Sequence, residues 1–242
     1  MRFLNIVITI SLILLYANEI SIKTLLFILC STLLLIFANL QNDYFDREID
    51  AKKGIRRVIL SPFYQFLILF VSLIISFFIE LRLFLLFLLM FILISYYNIL
   101  GSKKPFGFLI TSLIISIGVL SLGMVFGFRK ELIYLVIFSF LFNIIREVVK
   151  SYIDYEYDFG IRKTIAIFLS KNKTRILIKF LLIFLFLSLI FVSIILNNIY
   201  FSLYGIFSGI IFFLYILNLF SEKVLSKILK FLMFLGFLIL FL

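Results

Sequence analysis

Residues 24–50 read TLLFILCSTLLLIFANLQNDYFDREID: an apolar run from Thr24 to Leu40 that breaks into Asn42-Asp43-Tyr44-Phe45-Asp46-Arg47-Glu48-Ile49-Asp50. The first part has the character of a membrane helix, which needs roughly 20 predominantly apolar residues. The second part sets carboxylates at its end. Working outward, nine runs of the first kind can be placed: Phe3 to Tyr16, Thr24 to Leu40, Pro62 to Ile79, Leu83 to Leu100, Phe106 to Phe128, Leu132 to Tyr152, Ile176 to Leu196, Ile199 to Phe220 and Val224 to Leu242. The last carries Lys230, which either snorkels to the interface or faces inward.

Composition points the same way. Of 242 residues, 65% are hydrophobic, and the mean hydropathy is +1.29. A water-soluble domain of this length cannot hide that much apolar surface. The expected fold is therefore an all-α polytopic membrane protein, with nine transmembrane helices in a single bundle around a central cavity and one domain over residues 1–242. No separate cleavable signal is evident, because the first apolar run flows directly into the protein. Cys30 is the only cysteine, which rules out a disulfide framework. Histidine is absent, which excludes histidine acid–base chemistry and histidine metal ligation.

The net charge of +11 does not point to nucleic acid, because the basic residues sit in short loops between apolar runs. They alternate in density. Rich breaks follow the second, fourth, sixth and eighth runs: Lys52, Lys53, Arg56 and Arg57; Lys103 and Lys104; Arg162, Lys163, Lys171, Lys173 and Arg175; Lys223 and Lys227. The positive-inside bias places these in the cytoplasm. It predicts a multi-pass protein of the cell membrane with a cytoplasmic N-terminus and an outer C-terminus. The longest polar interruption, Gly160 to Thr174, contains the apolar stretch Ile165-Ala166-Ile167-Phe168-Leu169. This is either an interfacial lid over a cavity or a loop brushing the headgroups.

All five aspartates of the chain lie in two places: Asp43, Asp46 and Asp50 after the second run, and Asp154 and Asp158 after the sixth. Ionisable groups inside or beside a bilayer are costly and mark function by default. At helical spacing, Asn39, Asn42, Asp43, Asp46 and Asp50 form one stripe, and Asn143, Glu147, Lys150, Asp154 and Asp158 form another. Both stripes end on the predicted cytoplasmic side. Carboxylates gathered on one face repel unless cations intervene. Hard oxygen donors suit Mg²⁺, which keeps several waters and is completed by substrate phosphates. Arg56, Arg57, Lys103, Lys104, Arg162 and Lys163 lie on the same predicted side and can bind phosphate oxygens and neutralise a departing diphosphate. The even separation of the two clusters suggests two related four-helix halves, although no residue-level repeat is visible.

These motifs resemble those of the UbiA superfamily of intramembrane prenyltransferases. The family's N-D-x-x-D-x-x-x-D motif is matched by Asn42, Asp43, Asp46 and Asp50, and its D-x-x-x-D motif by Asp154 and Asp158. Within the family the wording is most similar to the archaeal branch that makes digeranylgeranylglyceryl phosphate. Arg57, Ile59 and Ser61 fit that branch's R-P-I-P-S segment, with Val58 and Leu60 in place of its prolines. Arg146, Glu147, Lys150, Asp154, Glu156 and Asp158 fit its second motif, from which Ser151, Ile153 and Tyr157 depart. Arg2 and Asn5 match an R-P-x-N element with Phe3 replacing proline, and an expected G-N pair stands as Gly107-Phe108.

The resemblance implies Mg²⁺-dependent transfer of a polyprenyl group, geranylgeranyl in this branch, from its diphosphate to a membrane-associated acceptor. It implies Asp43, Asp46, Asp154 and Asp158 as catalytic metal ligands, with Asn42 and Asp50 positioning metals or waters. Arg57, Lys103, Lys104, Lys150, Arg162 and Lys163 would bind substrate phosphates. The allylic cation would be shielded in a cavity open to lipid, with Tyr96, Tyr97 and Tyr152 as aromatic contributors. The partners are a prenyl diphosphate, a lipid-like acceptor and membrane lipids, with no nucleic acid and no obligate protein partner. Geranylgeranylglyceryl phosphate is the expected acceptor. An aromatic acceptor in quinone synthesis is the alternative within the family, and a cation transporter is the alternative of another class.

Overall fold

The structure is a computed structural model that describes residues 3–55, 57 and 59–241. Arg2, Arg56 and Val58, which entered the sequence reading, lie outside the described residues. Among those described, the regular structure is helical: α1 (Phe3–Ala17), α2 (Ile22–Phe45), α3 (Arg47–Lys52), α4 (Pro62–Ile79), α5 (Leu81–Ile99), α6 (Gly107–Phe126), α7 (Lys130–Ile153), α8 (Tyr155–Asp158), α9 (Ile165–Leu169), α10 (Lys171–Leu196), α11 (Ile199–Ile216) and α12 (Glu222–Ile239). The long helices correspond one to one with the nine apolar runs. Seven of them, α2, α4, α5, α6, α7, α10 and α11, are long and apolar enough to cross a membrane. The other two are α1, at 15 residues, and α12, which carries Glu222, Lys223, Lys227 and Lys230.

Local chemistry explains where the helices start and stop. Ser21 caps α2 by accepting the Thr24 N–H at 3.2 Å, and Asn198 caps α11 by accepting the N–H groups of Tyr200 and Phe201 at 2.9 and 3.1 Å. Both satisfy donors that a helix start leaves orphaned. Pro62 opens α4, where its missing N–H costs nothing. Asn197 closes α10 in the left-handed conformation at φ 47°, a region asparagine tolerates.

The chain divides into two compact units, one of Met1–Ser102 with Ile117–Leu132 and the other of Lys103–Ser116 with Ile133–Leu242. The division runs through α6, whereas a leading helix followed by two four-helix halves would split between α6 and α7. In the first unit α2 packs on α1, α4 and α5, and α4 packs on α5. Ser72 on α4 is fully buried and donates to the carbonyl of Cys30 on α2 at 2.8 Å. Such small-residue contacts let membrane helices approach closely. The Tyr16 hydroxyl ties the end of α1 to the carbonyl of Gly127 at 2.7 Å. In the second unit α10 packs on α9 and α11, and α11 packs on α12. The Tyr204 hydroxyl of α11 donates to the Leu232 carbonyl of α12 at 2.8 Å. Large apolar side chains such as Phe63, Phe78, Phe180 and Phe191 are exposed, as expected where the solvent is hydrocarbon rather than water.

The stretch between Gly160 and Thr174 is more ordered than a loop. Residues 165–169 form α9, which buries Ile165 and Ala166 and packs on α8 and α10, while Phe168 stays exposed. Lys171, Lys173 and Arg175, expected in that loop, belong to the first turns of α10.

Candidate active site

In the first unit the aspartate motif does not lie on one uninterrupted helix. Helix α2 ends at Phe45. Asp46 sits between α2 and α3 with φ −89° and ψ 0°, and Asp50 falls in α3. The expected single stripe is therefore corrected to a junction. Main-chain bonds still run four residues back, from the Asp46 N–H to Asn42 and from the Asp50 N–H to Asp46, both at 2.9 Å. The carboxylates consequently stay near one another although the helix breaks. Asp43 and Asp50 are buried, Asn42 and Asp46 half-buried.

Arg57 joins the ends of this motif. Its Nε is 2.9 Å from Asp43 Oδ1 and 2.5 Å from Asp50 Oδ2. Burial pulls the guanidinium's pKa down, but the hydrogen bond to Asp50 and the negative charges of Asp43, Asp50 and Asp46 together push it above its ordinary value. Two buried carboxylates thus share one cation, which offsets part of the cost of burying their charges.

Behind the motif stands an amide ladder that sequence reasoning missed. Asn98 of α5, 2% exposed, donates to Gln41 Oε1 at 2.8 Å and accepts from Asn42 Nδ2 at 3.4 Å. Gln41 also donates to Ser95 Oγ at 3.2 Å. The available signal was polar residues inside an apolar run, since a buried amide must find partners. Tyr96 and Tyr97 lie on the same helix end, one exposed and one half-buried.

The second unit repeats the junction. Helix α7 ends at Ile153, Asp154 turns with φ −86° and ψ 3°, and Asp158 closes α8. The Asp154 N–H bonds the Lys150 carbonyl and the Asp158 N–H bonds the Asp154 carbonyl, again at 2.9 Å. Asp158 is 4% exposed and Asp154 is half-buried. The Asp158 carbonyl accepts the N–H groups of Ile161 at 3.0 Å and Arg162 at 2.9 Å, and the Lys163 N–H reaches the Lys103 carbonyl at 3.2 Å. The basic residues Arg162, Lys163, Lys103 and Lys104 are thereby gathered around one turn. Lys103, Lys104, Lys150 and Lys163 are exposed, and Arg162 is half-buried. Tyr152 lies beneath two cations, 5.6 Å from the Arg175 guanidinium and 5.7 Å from Lys171. Arg175 is anchored in turn by the buried Glu222 at 2.7 Å.

Among the described residues no three acidic or cysteine side chains converge into a closed metal cage. The donor chemistry nevertheless fits Mg²⁺. The available ligands are hard carboxylate and amide oxygens, and a cation already bridges the buried pair Asp43 and Asp50. Mg²⁺ is usually held by one or two carboxylates, waters and substrate phosphates rather than by an all-protein cage.

An all-helical membrane protein with two aspartate junctions of matching backbone defines a narrow class. The chain belongs to the UbiA prenyltransferase family, whose model matches residues 4–238. It is a multi-pass membrane enzyme of the prenyltransferase type. Its fold is similar to that of a digeranylgeranylglyceryl phosphate synthase, at 21% identity and a TM-score of 0.75, covering 98% of this chain and 91% of that one. It is also similar to a UbiA homologue from Archaeoglobus fulgidus bound to GPP and Mg²⁺, at 16% identity and a TM-score of 0.67, covering 99% and 97%. A third similar fold is the apo UbiA homologue from Aeropyrum pernix K1, at 12% identity and a TM-score of 0.67, covering 99% and 94%. No curated protein matches the chain.

Proposed function

We propose that this enzyme transfers a geranylgeranyl group from its diphosphate to the hydroxyl of geranylgeranylglyceryl phosphate, in ether-lipid synthesis, at the cytoplasmic face of the cell membrane. The observation that carries the reading is the pair of aspartate junctions, at Asp46 and Asp154, built on one backbone pattern and accompanied by basic residues. The likeness to a digeranylgeranylglyceryl phosphate synthase supports the acceptor. The GPP and Mg²⁺ bound to the A. fulgidus homologue support a diphosphate donor and the metal.

In this reading residues 1–242 act as one catalytic domain. Asp43, Asp46, Asp154 and Asp158 hold Mg²⁺, with Asn42 and Asp50 orienting that set. When bound, Mg²⁺ neutralises charge developing on the leaving diphosphate. Arg57, Lys103, Lys104, Arg162 and Lys163 take the remaining phosphate oxygens, and Lys150 binds substrate phosphate beside Asp154. The bond between the allylic C1 and the diphosphate oxygen breaks, with the electron pair leaving on diphosphate. The acceptor oxygen forms the new bond to C1 and releases its proton to a carboxylate, a phosphate or water. Tyr96, Tyr97 and Tyr152 offer aromatic faces to the positive charge on the prenyl group.

The test is purified protein in lipid with geranylgeranyl diphosphate, Mg²⁺ and geranylgeranylglyceryl phosphate, read by product mass. Mg²⁺-dependent digeranylgeranylglyceryl phosphate is expected. Mg²⁺-dependent donor binding without that product overturns the acceptor and keeps the chemistry. Neither product nor donor binding, in folded protein, overturns the metal–diphosphate assignment.

A further inference from the structure

Beyond Asp158 the sequence has nine lysines and arginines and a single acid, Glu222. Six of those cations gather at one end of the second unit. Lys171, Lys173, Arg175 and Lys179 lie in the first turns of α10, and Lys223 and Lys227 in those of α12. Arg175 Nη2 is 2.7 Å from Glu222 Oε1, so the two helix starts are held together. Lys179 Nζ donates to the Ile216 carbonyl at 2.9 Å, which brings the last turn of α11 to the same place.

Little of this charge is answered within the unit. Glu222 is buried and bound to Arg175, and Lys171 pairs with Glu156 at 3.2 Å. Lys173, Lys223 and Lys227 are exposed and pair with no acid among the described residues. Helix stability does not explain the cations of α10, because positive charge in a first turn opposes the helix dipole. Membrane topology does not explain the lack of acids, because aspartate and glutamate contribute little to it. Elsewhere in the chain acids are interleaved with cations, as Asp50 is with Lys52 and Glu147 with Lys150. Exposed charge of one sign attracts an anionic partner. The side chains exposed between these cations are apolar: Ile176 follows Arg175, Phe180 follows Lys179 and Val224 follows Lys223. A soluble anion would leave that apolar surface in water. A lipid covers both kinds of surface at once, its phosphate against the ammonium groups and its chains against Ile176 and Phe180.

We infer that the joined starts of α10 and α12 bind the head groups of anionic bilayer phospholipids through Lys173, Lys223 and Lys227, with the Arg175–Glu222 pair as the tie that keeps the two helix ends in register. The bound lipid is a component of the surrounding membrane and supplies the negative charge that this end of the unit lacks. The inference does not depend on which acceptor the enzyme uses.

The test uses the full chain in a neutral detergent without Mg²⁺ or prenyl diphosphate, titrated with phosphatidylglycerol or phosphatidylcholine and read by Tm. Phosphatidylglycerol should raise the Tm of wild type, and phosphatidylcholine should do so much less. In the double variant Lys223→Gln, Lys227→Gln the phosphatidylglycerol concentration giving half of the rise should increase by about tenfold or more, since each cation beside an anionic head group is worth about fivefold in affinity. Adding Lys173→Gln should weaken binding further. Lys223→Arg with Lys227→Arg keeps the charge and should keep the effect. Removing two exposed cations elsewhere, with Arg82→Gln and Lys130→Gln, should leave the titration unchanged. Unaltered helical circular dichroism shows that each variant is folded. Raised salt should reduce the phosphatidylglycerol effect in wild type. Equal responses to the two lipids in wild type, an unchanged titration in Lys223→Gln, Lys227→Gln, or an equal loss in Arg82→Gln, Lys130→Gln would each overturn the lipid surface. Inorganic phosphate should not raise the Tm; a rise matching that of phosphatidylglycerol would assign the site to a soluble anion and overturn it as well.

Discussion

At Asp46 the chain passes from α2 into α3 with φ −89° and ψ 0°, and at Asp154 it passes from α7 into α8 with φ −86° and ψ 3°. Both junctions place a second aspartate four residues on, Asp50 and Asp158, and both keep 2.9 Å main-chain bonds across the break. The surroundings differ. Around Asp46 a buried aspartate, Asp43, precedes the turn, Arg57 closes it onto Asp50, and the Gln41–Asn98–Asn42 ladder backs it. Around Asp154 the position matching Asp43 is Ser151, whose hydroxyl accepts the Ala166 N–H at 3.1 Å and so anchors α9. Arg162 and Lys163 lie on the following turn, where the Asp158 carbonyl accepts the Arg162 N–H. One backbone device has been used for a dense acidic site on one side and a sparser, cation-rich site on the other. The two junctions share a backbone and differ in the side chains that meet it.

Five substitutions can break or sharpen this comparison. The largest effect should come from the shared element. Asp46→Ala and Asp154→Ala should each lower turnover by about a thousandfold or more with helical circular dichroism unchanged. A folded variant of either with full turnover would break the equivalence of the junctions. Next, Asn98→Leu should destabilise the protein by about 2 kcal/mol, because it deprives Gln41 and Asn42 of a buried partner. Thermal unfolding in a fixed detergent measures this. Arg57→Met comes third. It removes a cation shared by two buried carboxylates, discounted for the partial exposure of Arg57 to about 1–2 kcal/mol. Mg²⁺ should then raise Tm more in the variant than in wild type, since metal replaces the lost charge. Equal shifts would show that the metal does not reach Asp43 and Asp50. The smallest effect is expected for Ser151→Ala, about 1 kcal/mol. It should appear as faster hydrogen exchange at Ala166 and in α9, with exchange in α2 and α3 unchanged.

Much of this was legible before folding. Counting apolar runs located every long helix, because a segment that crosses hydrocarbon must satisfy its backbone internally and cover itself in apolar side chains. The five aspartates were equally visible, since acid residues beside a bilayer have few other reasons to gather. The helix breaks at Asp46 and Asp154 were not visible. No glycine or proline marks them, and the four-residue hydrogen-bond spacing runs straight through. The early start of α10 was hidden because Lys171, Lys173 and Arg175 interrupt hydropathy without interrupting the helix.

The sequence by itself determined the class of protein, the nine long helices among the described residues and the two carboxylate motifs, because these depend on local composition and spacing. Only the tertiary structure decided that Arg57 bridges Asp43 to Asp50, that Asn98 supports Asn42, and that Ser151 holds α9. Each of these joins residues on different elements. Whether a buried polar group is stable depends on the partner it meets there, and spacing along the chain does not specify that partner.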